Sequence, residues 1–231
     1  MANHMTYSNS DSINVKSDIQ ASSLILLIVV FGLISGCASL GDPYQDSAID
    51  EYQRGVAFQE QGNLGRALES HTMALEFNPN LAKAYAQRGF IYSAYGNQSK
   101  ALANLNRAIE LDSELAIAYN YRGEVYYLLM DADTALLNFT KAVQLDENLR
   151  DAYLNRSRIH FDKEDYYSAI EDLSIAIELD SRSPNLYMLR AQIHLRVNDR
   201  GKALNDLYQV LGLAQDESLK TLAKRMLTEI Q

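Results

Sequence analysis

From Ala48 onward, apolar residues recur at steps of three and four, as over 82–95 and 99–111, a helical period and not a strand period. The pattern also repeats on a larger scale. Residues 48–217 divide into five consecutive blocks of 34, namely 48–81, 82–115, 116–149, 150–183 and 184–217, with no insertion or deletion. Two helices are predicted in each block. The turn between them is marked by Gly62 with Asn63, Gly96 with Asn97, Asp131, Asp165, and Asn198 with Asp199. Beyond the blocks, 218–231 reads as one more amphipathic helix, with Leu219, Leu222, Ala223, Met226, Leu227 and Ile230 on one face. Ahead of them lie a polar stretch, 1–20, and an apolar run, 24–34, interrupted by Gly32.

The same residue types return in the same columns of the block. Column 20 is Ala67, Ala101, Ala135, Ala169 and Ala203, and column 27 is Ala74, Ala108, Ala142, Ala176 and Val210. Column 8 is Gly55, Gly89, Gly123, Ser157 and Ala191. Helices approach closely only where side chains are small, so these columns predict the crossing points of each helix pair. Column 4 holds Tyr85, Tyr119, Tyr153 and Tyr187 after Glu51, and column 32 holds Pro79 once. Period and columns together resemble the tetratricopeptide repeat, a helix-turn-helix unit with small residues at columns 8, 20 and 27. The resemblance implies an all-α, right-handed α-solenoid of five repeats. The terminal helix 218–231 is expected to cover the apolar face that the last repeat would otherwise expose.

Column 7 is arginine in all five blocks: Arg54, Arg88, Arg122, Arg156 and Arg190. Column 23, on the facing helix, reads Ser70, Asn104, Asn138, Asp172 and Asp206, an acceptor each time. A bond from column 7 to column 23 is therefore predicted inside every repeat, charge-assisted in the last two. The alternative for these arginines is a ladder that binds a ligand.

The N-terminal segment carries a different kind of signal. Residues 19–41 contain no charge, and the apolar run ends in Ile34-Ser35-Gly36-Cys37. This resembles a bacterial lipobox, which implies removal of 1–36 as a signal peptide and lipid attached to Cys37, the one cysteine of the chain. Residues 37–47 then become the lipidated cysteine and a turn-forming linker, with a reach of roughly 17 Å from Ala38 to Ser47. Ala38 after the cysteine leans, by resemblance to Gram-negative sorting, to the periplasmic face of the outer membrane rather than the inner membrane. A transmembrane anchor without lipid is the other reading of 23 uncharged residues, although Ser22, Ser23, Gly32, Ser35, Gly36 and Ser39 within them shorten the purely apolar core.

Charge narrows the partners. The chain after residue 36 has 20 basic and 28 acidic residues, a net of −8. An acidic chain without a basic run is a poor ligand for phosphate backbones, so no nucleic acid is expected. An anionic bilayer would not attract it either, which leaves membrane attachment to the acyl chains. His4, His71, His160 and His194 form no HExxH pair, and neither a phosphate loop nor a nucleophile elbow is present. His160 and His194 share column 11, where packing is the ordinary reading and a metal or pH-sensing pair the sharper one. No enzymatic activity, metal or cofactor is expected.

What remains is the surface of the stack. In proteins similar to this one the first helices line a concave groove, and columns 2, 5, 9 and 12 face it. Carried over, this implies a protein- or peptide-binding groove in which Tyr52, Phe90, Asn120, Tyr127, Arg158 and Phe161 stand out. The aromatics would supply hot-spot area and Arg158 an anchor for a carboxylate, unless the rings pack between neighbouring first helices. The carboxylate-clamp pattern of chaperone-tail binders is not met, because its positions read Tyr52, Val56, Gln87, Ile117 and Tyr121. The expected role is a membrane-tethered scaffold for another envelope protein, in cell-wall remodelling or in type IV pilus secretin assembly. A self-associating structural component of the envelope is the alternative.

Overall fold

The computed structural model describes residues 43–230, and within them the chain is helical throughout, with no strand. The helices are α1 (Pro43–Glu60), α2 (Leu64–Phe77), α3 (Ala82–Ala94), α4 (Gln98–Leu111), α5 (Ala116–Leu128), α6 (Ala132–Leu145), α7 (Arg150–Asp162), α8 (Tyr166–Leu179), α9 (Pro184–Arg196), α10 (Arg200–Leu213) and α11 (Glu217–Ile230). Each odd-numbered helix up to α9 pairs with the one after it, each pair packs on the next, and α3, α5 and α7 also touch in series. This is the stacking of a solenoid, a fold in which each unit is stabilised by its neighbours.

The columns explain the regularity. Every second helix begins behind an Asn or Asp at column 16: Asn63, Asn97, Asp131, Asp165 and Asp199. Each accepts a hydrogen bond from the backbone N–H three residues on. The residue before it lies in the left-handed region in all five turns, as Gly62, Gly96, Met130, Glu164 and Asn198. Column 8 meets column 24: a Cβ on Gly55, Gly89 or Gly123 would fall within 2.5 to 2.7 Å of His71, Leu105 or Phe139. The alanines of column 20 are fully buried, as are those of column 27.

The arginine prediction holds in four repeats of five. Arg88 Nε donates to Asn104 Oδ1 at 2.7 Å and Arg122 Nε to Asn138 Oδ1 at 2.7 Å. Arg156 and Arg190 bind Asp172 and Asp206 in bidentate fashion, at 2.6 to 2.9 Å. Each of these four guanidinium groups also lies over the column-4 tyrosine of its own helix, 5.2 to 5.9 Å from the ring centre. Arg122 and Arg190 reach across to Asn106 and Ser174 of the preceding repeat, which ties neighbouring units together. Arg54 departs from the prediction. Column 4 of the first repeat is Glu51, whose carboxylate takes Arg54 Nη1 at 2.6 Å in place of the short Ser70 side chain.

Two boundaries differ from the sequence reading. Residues 43–47, read as linker, form the first turns of α1: Pro43 sits at the helix start, where its fixed φ and missing N–H cost nothing, and Asp46 lies in the first turn. Gln45 is held there by Asn78, which donates to its Oε1 at 2.7 Å. The terminal helix runs Glu217–Ile230 and buries Ala223 and Leu227 against Met188, Ala191, Leu207, Val210 and Ala214 of the fifth repeat. The lipobox, Cys37 and the rest of 1–42 lie outside the described residues.

Candidate functional site

The first helices of repeats three, four and five carry two adjoining depressions. One, of about 120 Å³, is lined by Tyr127 of α5, Arg158, Phe161 and Asp162 of α7, Leu173 of α8, and Leu189, Gln192 and Ile193 of α9. The other, of about 520 Å³, lies between α7 and α9 and includes Arg150, Leu154, Leu186 and Met188. Arg158, Leu189 and Gln192 border both. Arg158 is exposed and donates to the neutral Asn155 Oδ1 at 3.3 Å. Its charge thus stands at the junction of two partly apolar hollows, where a carboxylate could be bound.

Beside Arg158, through its partner Asn155, lies a polar network. Asn120 Nδ2 donates to Glu124 Oε1 at 2.8 Å, and Asn155 Nδ2 donates to both Glu124 Oε1 and Asn120 Oδ1, at 3.0 and 3.1 Å. Burial holds the Glu124 carboxyl above the usual glutamate range against these amide donors. Tyr121 next to it is pushed up to about 12, by burial first and then by the Glu124 charge. Tyr127 donates its hydroxyl to Asp162 Oδ2 at 3.1 Å.

Of the six residues singled out by sequence, Tyr127, Arg158 and Phe161 come together at the smaller depression. The other three do not join them. Tyr52 packs on His71, with ring centres 5.5 Å apart, and Phe90 packs on Tyr121 at 4.8 Å. Asn120 is 1% exposed and bonded within the network. Asn155 and Leu189 went unpredicted because both occupy column 6, outside the groove columns carried over. Gln192 was in those columns, at column 9, with nothing in its type to raise it above its neighbours.

His160 and His194 each sit beside carboxylates of their own repeat. His160 lies 3.4 Å from Asp165 and 3.9 Å from Asp172, and His194 lies 4.0 Å from Asp206, each within its own repeat. Among the described residues no group of three His, Cys, Asp or Glu could hold a metal, and no helix is long and apolar enough to cross a membrane.

Stacked helix pairs with a hollowed first-helix face define an α-solenoid. Comparison with known proteins agrees on the repeat. Family models described as TPR repeat and tetratricopeptide repeat match residues 91–129 and 151–183, so the chain contains tetratricopeptide repeats. No curated protein sequence matches significantly. Among solved structures, one from a functional characterisation of Pseudomonas aeruginosa pilF superposes with a TM-score of 0.70 at 18% identity, covering 76% of this chain and 80% of that one. TTC0263, a thermophilic TPR protein in Thermus thermophilus, gives 0.64 at 19%, covering 78% and 99%. YrrB, described as a TPR protein with an unusual peptide-binding site, gives 0.58 at 21%, covering 80% and 98%.

Proposed function

We propose that the protein is a membrane-tethered scaffold that holds a segment of another cell-envelope protein along the first-helix face of repeats three to five. The observation that carries this reading is the meeting of two partly apolar depressions at Arg158, a cation that among the described residues has no carboxylate bonded to it. A bound segment would set an acidic group on Arg158 and an apolar side chain against Phe161, Leu173 and Leu189. The peptide-binding site ascribed to YrrB supports the use of such a fold for peptides. The tether is Cys37, lipidated after removal of 1–36, on the periplasmic face of the outer membrane. It raises the local concentration of the scaffold, so a modest intrinsic affinity suffices. The role needs neither cofactor nor catalytic group. The partner's identity decides between cell-wall remodelling and pilus secretin assembly.

Photo-crosslinking in intact cells tests the groove. A benzophenone amino acid at Gln192 is expected to trap an envelope protein, whereas one at Lys141, exposed on α6, is not. Equal trapping from both positions, or trapping from Lys141 alone, would overturn the reading.

A further inference from the structure

The turn after Tyr127 is unlike the other four. Leu128, Leu129 and Met130 are 58%, 48% and 89% exposed, three large apolar side chains in succession at one tip. Met130 also holds a φ of +62°, where the first two repeats use glycine. Glu164 and Asn198 hold the same left-handed backbone at their turns, so what sets this turn apart is its run of exposed apolar side chains, a patch of the kind that marks a contact surface. Exposed carboxylates follow in sequence and recur at the next turn: Asp131 capping α6 and Asp133 in its first turn, then Asp162, Glu164 and Asp165, with Lys163 paired to Asp133.

The complement is on the same molecule. The larger depression is lined by half-buried Leu154 and Leu189 over the more deeply buried Leu186 and Met188, together with the polar Ser183, Asn185 and Gln192, and its rim carries Arg150 and Arg158. Arg150 already binds Asp151 and Asp180, whereas Arg158 donates to the neutral Asn155 and, among the described residues, forms no ion pair, although its charge acts on nearby Glu124. We propose that the Leu128-Leu129-Met130 tip of one copy docks into this depression of a second copy, with these carboxylates against Arg158. Charge decides against a lipid surface as the occupant, because an acidic surface gains nothing from an anionic bilayer and must be desolvated at a neutral one. A patch and a pocket at different places on one chain make a head-to-tail contact, which closes as a pair only where both copies reciprocate. The contact rests on the groove reading in one respect: tip and partner segment compete for the same depression, so free scaffold would associate with itself until a partner displaces it.

Two tagged copies of the full chain, one Met130→Cys and the other Gln192→Cys, are co-expressed and treated with a short bismaleimide in membranes. A covalent heterodimer is expected well above the background that Cys37 gives in the unsubstituted chain. Arg158→Glu in the Gln192→Cys copy is expected to reduce its yield at least fivefold, and Asp133→Lys with Glu164→Lys in the Met130→Cys copy to restore it. Circular dichroism confirms that each chain is folded. No heterodimer above background, which is also the result if the tip sits in lipid, overturns the proposal, as does an equal yield with Lys141→Cys in place of Gln192→Cys. Loss of the heterodimer with retained trapping of another protein from Gln192 sinks self-docking alone; loss of both sinks the groove reading as well.

Discussion

His71 stands at column 24, where the other repeats place Leu105, Phe139, Leu173 and Leu207. It is fully buried against Gly55, its Nε2 donates to Gln59 Oε1 at 2.6 Å, and its Nδ1 is a buried acceptor with no partner among the described residues. Burial, with the Arg88 charge second, lowers its pKa from 6.5 to about 4. As pH falls from 6.5 toward 4 the unfolded chain takes up a proton that the native state refuses, so stability present above pH 6.5 is lost, on the order of 3 kcal/mol by pH 4. His71→Leu is expected to raise stability and to flatten that dependence, since Gly89 already accommodates Leu105 in the equivalent pair. Urea melts at pH 7 and pH 4.5 measure both effects, and an unchanged slope would refute the assignment. Repeats two and three supply the control for the arginine pairs. Asp172→Asn leaves a single bond like the one Arg88 donates to Asn104, at a cost of about 1 kcal/mol, whereas Asp172→Ala strands a half-buried guanidinium and costs about 3 kcal/mol. Met130→Gly relieves a left-handed strain and is expected to stabilise the fold by about 1 kcal/mol.

At the scale of the element, most of the architecture was legible, and the reason lies in the columns. Small residues at 8, 20 and 27 allow one helix crossing, and an Asn or Asp at column 16 fixes where each second helix starts. The misreadings came where an element's end depends on context. Pro43 suggests a linker in isolation, but it begins a helix because the following residues pack on the first repeat and Gln45 is held by Asn78. The site was less legible than the helices. A column gives a position within the repeat, and the freedom of a side chain depends on what its neighbours offer. Tyr52 and Phe90 occupy groove columns and are claimed by His71 and Tyr121, and Asn120 is claimed by Glu124 and Asn155. Helix α11 carries its own prediction. Removing 217–231 uncovers Met188, Leu207 and Val210, and is expected to lower the unfolding temperature by on the order of 10 °C. Hydrogen exchange should then show α9 and α10 opening first, whereas uniform exchange along the stack would contradict a capping role.

For the whole molecule, fold and function separate. Solved structures at 18% to 21% identity share the stack, and a stack of repeats is a frame on which sites are grafted. What belongs to this chain is the placement of charge: paired arginines inside the repeats and an exposed Arg158 at the junction of two hollows. The measurement closest to the central claim is the affinity of the segment trapped from Gln192, synthesised as a peptide, for the wild-type chain and for Arg158→Glu, with Lys141→Glu as the control. A loss of about tenfold or more in Arg158→Glu alone is the expected result. Equal affinity in all three proteins would show that the first-helix face of repeats three to five is not the working surface.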